Sequence, residues 1–136
     1  MGILLSSQLV EGQIYNRAEL ANVLESHDAT INTGVFQPRG YDSILLFVTE
    51  RKPGDMTQYA DKLVGDTLHW QGQTAGRKDA LIIAHQQQHR ELLVFYRGAK
   101  TEYPGGGFRY EGRFRYRSHS GGQPTSFILE RIRAGQ

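Results

Sequence analysis

The chain has no cysteine in its 136 residues, which excludes a disulfide framework, a thiolate metal site and a cysteine nucleophile. Long hydrophobic runs are missing too, and no stretch approaches the roughly 18 apolar residues of a membrane span. Met1-Gly2-Ile3-Leu4-Leu5 carries no basic leader, so no secretory signal and a cytoplasmic location are expected. No Gly-x-x-x-x-Gly-Lys-Ser/Thr loop occurs. Gly105-Gly106-Gly107 falls between two expected strands, whereas a phosphate cradle opens a helix, so it reads as a hairpin turn. His85 and His89 have the spacing of a metal clamp, but only Gln fills the interval and no third ligand accompanies them; neither metal nor cofactor is expected. Glu50-Arg51-Lys52 has a Lys two positions after its acid, yet the nearest second carboxylate, Asp42, begins the same strand. That arrangement argues against a metal-dependent nuclease. With no catalytic set in view, the chain is expected to bind rather than catalyse.

What is present is an ordinary composition with an uneven charge. Apolar residues make up 38% and charged residues 22%, values of a water-soluble domain, and the length suits one domain over 1–136. Residues 1–68 hold 5 Lys/Arg against 9 Asp/Glu, a balance of −4, and residues 69–136 hold 11 against 5, a balance of +6. A basic half on a nearly neutral chain suits a polyanion partner, because Lys and Arg gain affinity by releasing phosphate counterions. Basic strands that simply face water give the same totals.

The pattern predicts an α+β fold, a twisted, β-barrel-like sheet with one or two flanking helices. Asn16 and Glu19 form a capping box for a helix at about 17–26, with Leu20, Val23 and Leu24 on its apolar face. Strands are expected at 43–49, 67–71, 92–96, 108–116 and 126–132, and a short helix at 78–86. Residues 55–64 fit either a short helix or a loop. In 108–116 the period of two sends Phe108, Tyr110, Phe114 and Tyr116 one way, and Arg109, Glu111, Arg113, Arg115 and Arg117 the other.

Residues 59–76 bring Tyr59 and Trp70 around Asp61. A base turned out of a duplex needs flat faces above and below and polar groups for its edge, and a carboxylate can accept from the cytosine amine. Core packing of both aromatics, with Asp61 capping a turn, accounts for the same residues. Tyr59-Ala60-Asp61 followed by Trp70-Gln71-Gly72-Gln73, then Phe108-Arg109-Tyr110-Glu111-Gly112-Arg113-Phe114, then a closing Phe127-Ile128-Leu129-Glu130-Arg131, resembles the SET- and RING-associated (SRA) domain. That family has a PUA-like pseudobarrel fold and reads modified cytosine. The order is also similar to a bacterial, restriction-associated branch appended to helicases and nucleases.

The resemblance implies a reader of double-stranded DNA carrying a 5-methylcytosine-like base, and an origin as a domain excised from a larger restriction enzyme with a nuclease or helicase domain as partner is the matching expectation. Tyr59 and Trp70 would stack on the base, Asp61 would accept from it, and Gln71 and Gln73 would border the pocket. Trp70 replaces a Tyr of the family, and the two Gln replace small residues, so the base accepted need not be 5-methylcytosine. Backbone contacts are expected from Arg39, Arg77, Lys78, Arg97, Arg109, Arg113, Arg115 and Arg117. A solvated strand face salted by Glu111 is the other reading of the strand arginines, since a bulge would scatter them. The alternative function is a duplex-binding pseudobarrel that reads unmodified sequence through the major groove, without base flipping.

Overall fold

The computed structural model describes residues 3–25, 34–51, 61–71, 79–121 and 125–132. Among these residues eight strands and two α-helices follow one another as β1 (Ile14–Tyr15), α1 (Arg17–Leu24), β2 (Val35–Phe36), β3 (Ser43–Arg51), β4 (Lys62–Val64), β5 (Thr67–Gln71), α2 (Asp79–Ile83), β6 (Glu91–Ala99), β7 (Phe108–Gly121) and β8 (Thr125–Arg131). They form one mixed sheet in the order β2-β3-β6-β7-β8-β5-β4, with β1 on β7 beside the end that β8 leaves free. The α+β class is as expected; the sheet is not closed into a barrel. No helix among the described residues is long and apolar enough to cross a membrane.

The centre of the sheet is the parallel pair β3–β6, from Ser43 opposite Glu91 to Arg51 opposite Ala99. Parallel strands covered on both faces read as continuous apolar runs, and Ile44 to Val48 and Leu92 to Phe95 are such runs, all buried. Their alternate residues enter two different cores. Ile44, Leu46, Val48, Leu92 and Val94 join Val35, Leu68, Trp70, Ile82, Phe114, Phe127 and Leu129. Because this first core draws on both ends of the strand order, the sheet must curl around it. Leu45, Phe47, Leu93 and Phe95 face outward and join Leu5, Leu20, Leu24, Phe36, Phe108 and Tyr110. The second core is thus roofed by α1 and the short 3-10 turn Leu5–Gln8.

The roof is pinned by local chemistry. The capping box forms as the sequence implies: Asn16 Oδ1 accepts from the Glu19 N–H at 2.7 Å, and Glu19 Oε1 accepts from the Asn16 N–H at 3.0 Å. The N-terminal turn is tied by Glu91, whose carboxylate accepts from the Ser6 N–H (3.0 Å), the Ser6 hydroxyl (2.5 Å) and the Ser43 hydroxyl (2.6 Å). Pro104–Gly106 makes the turn between the antiparallel strands β6 and β7.

Strand β7 departs from the expected alternation. Its pairing with β6 slips between Val94 and Phe95, which leaves Glu111 as an extra residue beside Gly112, and Gly112 has a φ of +97°. An extra residue turns every later side chain to the opposite face. Phe108 and Tyr110 therefore lie in the outer core, whereas Phe114 lies in the inner core with Tyr116 packed against it. The four aromatics do not share one face. Glu111 is buried and held by two guanidiniums, Arg109 Nη1 (3.1 Å) and Arg131 Nη2 (2.7 Å). Arg131 continues to Asp66 at 2.9 Å, so it clamps the β4–β5 turn to the bulge.

Candidate nucleic-acid interface

The roof ends with the first half of β7. Beyond the bulge, the outward face of β7, β8, β5 and β4 lies open, and the strand register defines its rows. Ser118, Ile128, His69 and Lys62 make one cross-strand row, and Ser120, Ser126 and Gln71 the next. A third row pairs Arg115 with Glu130 and Thr67 with Val64. Apart from Lys62, the first two rows belong to the lining of a hollow of about 420 Å³, bounded by three consecutive residues on each of three strands: His69–Gln71, Ser118–Ser120 and Ser126–Ile128. On the middle strand of the three, Ile128 is 38% exposed, an apolar contact among imidazole, amide and hydroxyl groups.

Below the floor of the hollow, the alternation points Trp70 and Phe127 into the inner core. Their rings stack at 5.5 Å, with Tyr116 edge-on to Phe127 at 6.4 Å. The Tyr116 hydroxyl meets His119 Nδ1 at 2.5 Å. His85 locks this region from behind. Its Nδ1 lies 2.9 Å from the Arg90 carbonyl, and its Nε2 accepts from the Tyr116 N–H at 3.0 Å. The pair of bonds specifies the neutral tautomer with the proton on Nδ1, and burial lowers the pKa in the same sense. Both ring nitrogens of His85 are thus engaged inside the protein.

A second bulge shapes the rim. The β7–β8 register slips between Tyr116 and Ser118, leaving Arg117 as the extra residue. Arg115 and Arg117 both reach Glu130: Arg115 Nε at 3.0 Å with a further close contact from its Nη2, and Arg117 Nη1 at 2.6 Å. Arg113 is exposed on the same side, opposite Leu93, and forms no salt bridge with another described residue.

The structure brings three of the five expected pocket residues together. Asp61 is 4% exposed, and its Oδ1 accepts from the Gln71 N–H at 2.9 Å; Trp70, the residue before Gln71, is 6% exposed. Gln71 reaches the hollow. Tyr59 and Gln73 lie outside the described residues, as do Arg77 and Lys78.

The remaining arginines divide by environment. Arg113, Arg115 and Arg117 border the open face. Arg39 is exposed in the β2–β3 connection, and Arg109 is half-exposed on Glu111. Arg97 is 8% exposed and spends its guanidinium internally, on Thr49 Oγ1 (2.8 Å), the Gly106 carbonyl (3.0 Å) and the Phe108 ring (4.0 Å). Sequence reasoning missed His69, Ser118, Ser120, Ser126 and Ile128. The one available signal was the alternation in 126–132, which leaves an Ile on the polar side.

No protein-family model matches the chain, and no curated protein matches it. Among solved structures it is similar to a "Modification dependent TagI restriction endonuclease", with a TM-score of 0.53 and 18% identity over 90% of this chain. The chain spans 50% of that protein's length. At this identity the likeness establishes a shared fold.

Proposed function

We propose that the chain is the DNA-binding reader of a restriction system, and that it receives a modified base turned out of the duplex. The observation that carries this reading is the hollow of about 420 Å³ on a sheet face that the described helices leave open, with Arg115 and Arg117 next along β7 from its Ser118–Ser120 wall. A flipped base is a flat group of nucleobase size with a polar edge, and recognition uses hydrogen bonds to that edge. Gln71, Ser118, Ser120 and Ser126 offer such partners, Ile128 offers an apolar contact to a methyl group, and the arginines suit phosphates. The fold shared with a modification-dependent restriction endonuclease, at half its length, supports a place as one domain of a larger nuclease.

In this reading Trp70 and Asp61 act from beneath. Trp70, stacked on Phe127, stiffens the floor, and Asp61 fixes the backbone of Gln71. The test is a panel of matched duplexes carrying cytosine, 5-methylcytosine, 5-hydroxymethylcytosine or N6-methyladenine, with 2-aminopurine beside the modified base. Preference for one modified duplex, with 2-aminopurine brightening that Gln71→Ala abolishes, is the expected result. Equal affinity for all four without brightening would favour the groove-reading alternative.

A further inference from the structure

The ion-pair cluster on the rim asks for an explanation that folding does not supply. Arg115 and Arg117 are 46% and 54% exposed and Glu130 is 28% exposed, a setting in which such pairs add little stability. The geometry is nevertheless specific. Glu130 stands directly opposite Arg115, and the bulge at Arg117 adds a second guanidinium, so each carboxylate oxygen takes one arginine. The hydrogen bond from Arg115 holds the Glu130 carboxyl below the usual carboxylate range. Two positions along β8 from Glu130, and so on the same face, is Ile128, which lines the hollow.

A planar carboxylate shared by two arginines fills the place a phosphate would take, because both groups accept from guanidinium in the same fork geometry. We propose that Glu130 is an internal competitor for the DNA backbone, a residue that sets specificity by occupying Arg115 and Arg117 until a duplex is seated well enough to displace it. Plain duplex then meets a rim whose two cations are partly neutralised. A duplex that also fills the hollow gains enough to exchange carboxylate for phosphate. The inference rests on the DNA-binding reading of this face.

The experiment is salt-dependent binding of the full chain to an unmodified duplex and to the preferred modified one. Glu130→Gln and Glu130→Ala are compared with wild type, and thermal midpoints serve as a folding control. Freed arginines should steepen the dependence of log affinity on log salt by about one to two. Affinity for the unmodified duplex should rise about 5- to 10-fold near 0.1 M salt, with a smaller rise for the modified one, so discrimination narrows. Adding Arg115→Ala and Arg117→Ala to Glu130→Gln should remove the gain. Folded variants whose affinity and salt slope match wild type, or a gain that survives loss of both arginines, would overturn the competitor role while leaving DNA binding intact. Absence of binding to every duplex, by wild type and variants alike, would overturn the DNA-binding reading and the competitor role together.

Discussion

The outward face of this sheet is built in two ways. Over β3, β6 and the first half of β7 it is apolar and roofed by α1 and the N-terminal turn, with Phe47, Phe95, Phe108 and Tyr110 packed beneath. Over the second half of β7, β8 and β5 it carries Ser, His, Gln and Arg and stands open. The proposed reader role uses both: one half holds the strands in fixed register, and the other presents a surface. Stability and recognition should therefore separate cleanly between the halves.

The largest expected effect tests that separation. Phe108→Ala, under the roof, should cost about 3–5 kcal/mol in urea unfolding, as for other buried aromatics. Ile128→Ala, in the hollow, should cost below about 1 kcal/mol, since a partly exposed side chain loses little burial, yet weaken binding to modified duplex. Similar stability losses at both sites would erase the distinction. Next comes the joint between the halves. Gly112 sits at φ +97°, and a Cβ there would lie 2.5 Å from Glu11 Oε1. Gly112→Ala should lose about 1–3 kcal/mol, visible as a lower urea midpoint.

A third test concerns the open half from behind. His85 is held neutral in the fold, with its pKa lowered by burial, so below its ordinary value near 6.5 the unfolded chain takes up the proton first. Its contribution is complete above that pH and declines as the pH falls below it, by at most about 1.4 kcal/mol per pH unit. Urea midpoints from pH 7.5 to 5 should show this decline, and His85→Gln should flatten it; an unchanged pH profile in the variant would assign the decline elsewhere. The smallest effect belongs to the roof: Asn16→Ala should cost about 1 kcal/mol and leave DNA affinity unchanged. A selective loss of binding in that variant would link the two halves.

The roofed half was the more legible in sequence. Short continuous apolar runs announced β3 and β6, and Asn16 with Glu19 announced the start of α1, because both signals are local. Strands β1 and β2, at two residues each, are too short to show a period. Residues 62–64 pair as β4 through contacts with β5 that no local pattern records. The open half was less legible. Trp70, Asp61 and Gln71 do converge, but the hollow is made by register between strands far apart in sequence, such as Gln71 opposite Ser126, 55 residues on. Glu111–Gly112 was the readable clue to the first bulge, since Gly inside a strand often marks one.

The position of that bulge has a consequence for how such a chain can vary. Even-numbered aromatics continue through β7, so sequence shows one uninterrupted rhythm. Had the pairing kept step, Phe114 and Tyr116 would emerge onto bare surface and the arginines would be driven into the inner core. The inversion falls where the helical cover runs out, so the length of the roof and the site of the inserted residue form a single coupled variable. A relative with a longer roof should carry its Glu-Gly pair correspondingly later in the strand. Deleting Glu111 alone should be more damaging than deleting a residue from any loop, because it reverses the facing of everything that follows.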